Sequence, residues 1–328
     1  MKDSDAELMR RAIDAGEKAR LHAPPNPWVG ALIVDELGVV VAEGHTQVPG
    51  EAHAEVDALR RAGARSRGAT MVVTLEPCDH VGRTPPCTTA IIDAGVRRVI
   101  VGTLDPDARV AGRGVSALRD AGVVVDVGVE EDAVRTQLAP YLWHRTTGRP
   151  YVVAKVAATL DGVVAMADGT SQWITGEGAR RDAHVVRAQS QAIVVGAGTV
   201  RSDDPRLTAR LDGIVLEPLR VVLGAAPENA RVRPCWERSG DLGAILDELG
   251  KSDVLQVLVE GGPTTTSAFI AAGLVNRVVW YAAPALAGSL GTRGALGTLT
   301  TATIGALRRG RVVDVRRIGD DVRIDLEV

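Results

Sequence analysis

Sulfur is scarce in this chain, with three cysteines and four methionines in 328 residues. A disulfide-stapled fold needs more thiols than this and an oxidising compartment. No apolar run approaches membrane-spanning length. The opening "MKDSDAELMRR" is acidic and polar, without the apolar region of a secretory leader. Together these absences lead to the expectation of a cytoplasmic protein, outside any membrane, whose thiols stay reduced. Basic runs are missing too: the formal net charge is −3 and the arginines are dispersed. Proteins that grip nucleic acid through its phosphates carry a basic stripe, so no nucleic-acid partner is expected. No internal repeat stands out.

What is present reads as an ordinary soluble composition, 45% hydrophobic and 24% charged. The length exceeds what one core usually spans, so two domains are expected. "GRP", Gly148 to Pro150, breaks the chain and divides it into residues 1–147 and 148–328.

In the first part, Ser4 and Glu7 form a capping box that opens a helix, with Met9, Ile13 and Gly16 on one face. Strands follow, one ending near Val34 and one in "GVVVAEGH". "EAHAEVDALRRAG" is a short helix with Gly63 as its C-cap, and "ATMVVTL" is an apolar strand. "CTTAIIDAG" is a helix starting beside Cys87, and "VRRVIVG" and "VVVDVGV" are strands. Alternating strands and helices imply an α/β layer with a largely parallel sheet.

Two of the few cysteines, Cys78 and Cys87, stand with eight residues between them in "TLEPCDHVGRTPPC". His53 and Cys87 fall at helix starts, where a thiol ionises more readily. One histidine and two cysteines can hold zinc and leave its fourth place to water; His80 is the rival fourth ligand. "HAE" sets Glu55 two residues after His53, where it can move protons without ligating, as in zinc deaminases of nucleobases. Taken alone, "HAE" fits an ordinary polar helix start; beside "EPC…PPC" it reads as a metal site. The loop between the cysteines is longer than the usual P-C-x-x-C of nucleoside deaminases and offers His80 and Arg83 to a polar or anionic substrate.

These residues resemble the deaminase domain of the bifunctional riboflavin-biosynthesis deaminase–reductase. The likeness is carried by "PNPWVGALIV", "GHTQVPGEAHAEVDAL" and "TLEPCDHVGRTPPCTTAIIDAGVRRVIVG". It implies a cytidine-deaminase-like three-layer α/β fold, zinc ligands His53, Cys78 and Cys87, and Glu55 as proton shuttle. It also implies that Asn26, His45, His80, Arg83 and Asp105 line the pyrimidine and ribose-phosphate pocket. The chain departs from the family's "PHAE" at Ala52 and from its "DPNP" at Asp107, where an asparagine is usual.

The second part begins with "YVVAKVAA", a strand interrupted by Lys155, one of four lysines in the chain. A charge in a buried strand is costly unless paired or functional; exposure at a sheet edge is the alternative. "GEGARRDAHVVRAQS" reads as a helix with Ala183, Val186 and Arg187 together on the surface. "QAIVVGAGTVR" and "VLVEGGPTTTSAFIAAG" each run from strand through glycines into helix, and such units suit a phosphate-bearing cofactor. "RVVDVRRIGDDVRIDLEV" closes the chain as a hairpin.

Here the likeness to the reductase domain of the same family resumes. It is carried by "GRPYVVAKVAATLDG", "SQWITGEGARRDAHVVRAQSQAIVVGAGTVRSDDPRLTAR", "VLVEGGPT" and "GLVNRVVWYAAPALAG". It implies a dihydrofolate-reductase-like α/β fold that uses NADPH. Ala157, Trp173, Thr199, Asp203, Gly262, Pro263 and Thr264 would then contact the cofactor. Ser171, Arg187, Leu207, Arg210 and Glu260 would contact the substrate, the two arginines suiting its ribose phosphate. Asp203 is the candidate for protonation or polarisation, with Lys155 as rival. Gly224 stands where the family often has aspartate, and cofactor contacts between residues 211 and 255 stay unassigned. The resemblance implies two consecutive reactions on a ribosylaminopyrimidine phosphate, and a homo-oligomer, dimer or tetramer. Three other readings compete: a paralogue acting on a related pyrimidine, a nucleic-acid-editing deaminase, and a zinc-stabilised scaffold in which His80 completes the ligand set.

Overall fold

The computed structural model describes residues 4–82, 84–288, 290–297 and 299–328. Its internal contacts divide the chain into two compact units, Met1–Gly148 and Arg149–Val328.

The first unit carries helix α1 (Asp5–Glu17), strands β1 (Gly30–Val34) and β2 (Val40–His45), and helix α2 (Ala54–Ala62). Strand β3 (Thr70–Leu75), helix α3 (Cys87–Asp93), strand β4 (Arg98–Thr103), helix α4 (Arg113–Asp120) and strand β5 (Val124–Val127) follow. Helices α5 (Glu131–Gln137) and α6 (Ala139–Thr147) complete it. The Ser4–Glu7 capping box is formed in both directions. The sheet runs β2-β1-β3-β4-β5. Only β3, β4 and β5 are mutually parallel; β1 pairs antiparallel with both β2 and β3. The expected largely parallel sheet is therefore half antiparallel here, because β1 and β2 are joined as a hairpin rather than through a helix.

Two glycines determine how the helices cover this sheet. A Cβ at Gly30 would strike the backbone of Ala12 in α1, and one at Gly44 would strike Ala54 and Ala58 in α2. Gly44 pairs with Ala31, the residue after Gly30, so the two glycines face opposite sides of the sheet. α1 and α2 thus lie on opposite faces, the three-layer arrangement expected.

The second unit begins with β6 (Tyr151–Thr159), β7 (Val163–Ala165), α7 (Glu177–Ala188), β8 (Ala192–Gly196) and α8 (Ala197–Asp203). It continues through β9 (Ala209–Leu211), β10 (Ile214–Leu216), β11 (Leu219–Leu223), β12 (Trp236–Arg238), α9 (Leu242–Lys251), β13 (Gln256–Val259) and α10 (Pro263–Ala271). It ends with β14 (Arg277–Ala283), β15 (Arg293–Gly294), β16 (Arg311–Ile318) and β17 (Asp321–Glu327). The main sheet is ordered β12-β11-β8-β13-β6-β14-β17-β16. Strands β12 to β14 in that order are parallel and the closing hairpin is antiparallel. Its core gathers Val152, Ala154, Val194, Val257 and Val259 from the sheet with Leu246, Leu249 and Phe269 from the helices.

Two expectations change. Lys155 does not sit at a sheet edge, since β6 is held between β13 and β14. Strand order is a long-range property that the local run of residues does not carry. Ala183 and Val186 are buried, and Arg187 is mostly so, rather than lying on the surface. The inward face of α7 is therefore the one that holds Arg187; the exposed apolar residue there is Val185.

A candidate zinc centre and a candidate cofactor cavity

In the first unit, three chain segments converge. His53 is the N-cap of α2 in extended backbone, and its ring makes no capping bond. The ring is thereby free to turn toward the thiols. Its Nδ1 lies 3.7 Å from Cys78 Sγ and 3.3 Å from Cys87 Sγ. All three ligand atoms fall within 4.8 Å of one another, and no other group of this kind occurs among the described residues. Thr84 Oγ1 stands 3.5 Å from Nε2, which suits a proton on Nε2 and leaves Nδ1 as the donor to metal. Cys87 opens α3 behind Pro86, and the Thr88 N–H donates to the Cys78 carbonyl at 3.2 Å, which ties the two cysteine segments together.

The thiols are poised for a cation rather than a bridge; both are free. Hydrogen bonding from Cys87 foremost, then from His53, outweighs burial and holds the Cys78 thiol down at about 4. Sharing with Cys78 and burial push Cys87 up. Two sulfurs and one imidazole are the donor set that zinc favours, and His80 is not among the converging ligands. The residues fit a zinc ion with an open fourth place.

Glu55 is buried beside this group, 4% exposed. Burial raises its carboxyl to about 6, with the His53 charge opposing. A carboxyl near neutrality can both take and return a proton. A pocket of about 120 Å³ opens onto His53, Glu55 and Cys78 and is also lined by Asn26, His80 and Asp105. The buried Nδ1 of His80 has no hydrogen-bond partner among the described residues, leaving a polar atom for a ligand. His45 is not among the lining residues; its backbone N–H donates to Asp57 and its ring stands 6.0 Å from that of His22. Arg83 lies outside the described residues.

The pocket wall also holds residues that local sequence did not flag. Glu76 accepts from the backbone N–H groups of Asp105, Gly112 and Val115 at 3.3, 3.0 and 3.2 Å. It caps α4 from a distance and fixes the Asp105 turn against the Cys78 segment. Tyr141 donates to Asp105 at 3.0 Å, and Asp107, Arg109 and Arg145 complete the wall. The local signals are Glu76, in "EPC", and Asp107, at the departure from "DPNP".

In the second unit a cavity of about 1410 Å³ runs along the ends of the parallel strands. All the residues expected to touch cofactor line it: Ala157, Trp173, Thr199, Asp203, Gly262, Pro263 and Thr264. So do Ser171, Arg187, Leu207, Arg210, Glu260 and Lys155. Lys155 and Ala157 share one face of β6 because side chains alternate along a strand. Thr199 Oγ1 accepts from the Gly262 N–H at 3.1 Å, joining α8 to the start of α10. A Cβ at Gly261 would collide with Thr265, while one at Gly198 would meet nothing and intrude on the cavity. Paired glycines before a helix and a glycine floor suit a pyrophosphate, so the residues fit a dinucleotide.

Arg187 is paired with a carboxylate of the same cavity. Its Nε and Nη2 donate to the two oxygens of Glu260, each at 2.7 Å, and Nη1 donates to the Thr208 carbonyl at 3.2 Å. Arg210 has no such acid; its Nη2 lies 3.1 Å from His184 Nε2, and its backbone N–H donates to His184 Nδ1. His184, on α7, is a further cavity residue that the sequence reading missed.

An open zinc-type ligand set with a buried carboxyl, in one unit, and a dinucleotide-sized cavity in an α/β unit define a zinc-dependent deaminase joined to a nucleotide-dependent reductase. Family comparison agrees. Residues 2–103 match the cytidine and deoxycytidylate deaminase zinc-binding region, and residues 150–324 match the RibD C-terminal domain. The chain belongs to the RibD family, the bifunctional deaminase–reductases of riboflavin biosynthesis, which work with zinc and NADPH. It is 45% identical to the riboflavin biosynthesis protein RibD of Chlamydia trachomatis, over 87% of this chain and 85% of that one. Identity to the RibD of Mycobacterium tuberculosis is 43%, over 98% and 96% of the two chains. The solved RibD of Acinetobacter baumannii is 37% identical, covers 98% of each chain and superposes with a TM-score of 0.90. Among the described residues no helix is long and apolar enough to cross a membrane.

Proposed function

We propose that residues 1–147 carry the deamination of 2,5-diamino-6-ribosylamino-4(3H)-pyrimidinone 5′-phosphate and residues 148–328 the reduction that follows. His53, Cys78 and Cys87 hold the zinc, whose role when bound is to lower the pKa of water and polarise the reacting carbon. Glu55 takes a proton from the attacking water and hands it to the departing amine, so that ammonia leaves and a ring carbonyl remains. Asn26, His80 and Asp105 orient the pyrimidine. The observation that carries this reading is the convergence of three ligand atoms within 4.8 Å beside a buried glutamate.

In the reductase, NADPH when bound supplies the reducing equivalents that turn the ribosyl group into ribityl. Gly262, Pro263, Thr264 and Thr199 cradle its phosphates, with Ala157, Trp173 and Asp203 along its path. Lys155, 3.6 Å from Glu260 on a central strand, is better screened from solvent than exposed Asp203 as the group holding a proton for the opening ribose. Arg210 takes the substrate phosphate, while Arg187 keeps Glu260 ionised and in place; Ser171 and Leu207 complete the wall.

We further infer a cytoplasmic enzyme that works as a homo-oligomer, a dimer or tetramer, which sedimentation would test. The deciding experiment is a two-stage assay on the zinc-loaded chain. Ammonia release from the diamino substrate, followed by NADPH oxidation dependent on the product, is expected. Absence of the first sinks the deaminase assignment and absence of the second sinks the reductase one.

A further inference from the structure

Four carboxylates line the small deaminase pocket: Glu55, Glu76, Asp105 and Asp107. A phosphorylated substrate would be repelled by such a wall unless the charges were absorbed. Glu76 is occupied by three backbone N–H groups, and Asp105 takes the Tyr141 hydroxyl and the Asp107 N–H. Asp107 takes one backbone N–H, that of Arg109, and is otherwise met by guanidinium groups.

Two arginines answer it. Arg109 reaches both oxygens, with Nε at 3.0 Å on Oδ1 and Nη2 at 2.7 Å on Oδ2. Arg109 is the main reason the Asp107 carboxyl sits below its ordinary range, but its side chain is 65% exposed and reaches Asp107 from the solvent side. Arg145 comes from α6 and is only 21% exposed. Its Nε lies 4.0 Å from Asp107 Oδ2, its guanidinium lies over the Tyr141 ring at 5.2 Å, and Nη2 donates to the Pro25 carbonyl at 3.4 Å. It therefore touches three walls of the pocket at once: the segment that presents Asn26, the tyrosine that holds Asp105, and Asp107 itself. Its Nε, the nitrogen nearest Asp107, is buried without a hydrogen bond, while Nη2 is held by the Pro25 carbonyl.

We propose that Arg145 is a specificity-determining residue coupled to Asp107: it offsets that carboxylate, so that the pocket admits an anionic ribosylaminopyrimidine phosphate. The proposal rests on the deaminase reading given above. It predicts that the two positions are not independent, because Arg145 matters chiefly while residue 107 is charged.

The test is a double-mutant cycle on the zinc-loaded full chain, following ammonia release. Arg145→Met is expected to raise KM about tenfold with kcat within about twofold, and to make KM fall as salt is added. Asp107→Asn alone should lower KM, since one carboxylate fewer faces the anionic substrate. The double variant should return KM to within about threefold of the parent, and Arg145→Lys should keep it there. A double variant as impaired as Arg145→Met, or an unaffected Arg145→Met, overturns the coupling. If Arg145→Met melts early, the same comparison is made with Arg145→Gln against Arg145→Lys, which differ chiefly in charge. A parent chain that releases no ammonia sinks the deaminase reading itself, and the proposal with it.

Discussion

Arg187 and Glu260 meet fork to fork, Nε on one carboxylate oxygen and Nη2 on the other, with both contacts at 2.7 Å. They are 73 residues apart in sequence. Lys155 approaches the same carboxylate at 3.6 Å, so one acid is shared by two cations lining the reductase cavity. The pairing makes Glu260 an orienting group for its neighbours.

The pH dependence of stability follows from that triad. Burial alone would push the Glu260 carboxyl up, but the charges of Arg187 and Lys155 outweigh it and hold the group at about 2. Because the folded value lies below the ordinary 4.5, the stabilisation is complete above about 4.5 and is lost as pH falls from there toward 2. Glu260→Gln should lower the stability of the reductase domain at pH 7 by on the order of 3 kcal/mol. It should also flatten the acid limb of its melting temperature. Calorimetry of parent and variant between pH 7 and pH 3 checks both, and equal acid limbs would refute the triad as the source.

Glu55 and the metal make a cleaner separation between the two halves. Glu55→Gln keeps the size of the side chain but cannot take a proton, so ammonia release should fall by roughly 10²- to 10⁴-fold. Zinc content and NADPH oxidation on the deaminated product should be unchanged. Removing zinc with a chelator should likewise silence only the first reaction, and restoring zinc should bring it back. A loss of both activities in either experiment would mean that the domains do not work independently.

Much of this was legible locally. The Ser4–Glu7 box, the His53 cap, the Cys87 helix start and the closing hairpin are each determined by residues within a few positions of one another. Spacing and helix starts thus make His53, Cys78 and Cys87 candidate zinc ligands, with His80 left as a rival. What escaped reading depends on partners far along the chain. Lys155 in isolation fits an edge strand; only the placement of β13 and β14 on either side makes it interior. Arg187 in isolation gives no sign of its carboxylate partner, because Glu260 stands 73 residues further on. Tyr141 and Arg145 enter the pocket from α6, well past the motifs that mark the centre, and nothing beside them in sequence announces it.

Glu76 ought to behave as a structural pin rather than a chemical group. Its carboxylate accepts three backbone N–H groups. Glu76→Ala should destabilise the deaminase domain by about 2–3 kcal/mol, since buried donors lose their acceptor. Glu76→Gln should recover part of that, because one amide oxygen can still accept. Thermal melts of the two variants, with zinc content measured alongside, give the ranking; an alanine variant as stable as the parent would remove Glu76 from this role.

The final prediction concerns how α7 is held. Asp182 Oδ2 accepts from the Tyr281 hydroxyl at 2.6 Å and from Arg323 Nη1 at 2.7 Å. Arg323 in turn grips Asp325 through Nε and Nη2 at 2.7 and 2.8 Å, and Asp321 accepts from the Gly176 N–H at 2.8 Å, where α7 starts. The closing hairpin thus holds the helix that carries His184 and Arg187, and it does so from the side away from solvent. Asp182→Ala leaves a phenol and a guanidinium short of an acceptor, and should cost about 3–5 kcal/mol of reductase-domain stability. In the folded fraction, looser placement of Arg187 and His184 should raise the KM of the reductase reaction more than it lowers kcat. Asp182→Asn, which retains one acceptor oxygen, should recover most of the KM and only part of the stability. Were KM and stability to recover in parallel, the network would be a matter of packing alone; a split between them identifies it as what positions the substrate-facing side of α7.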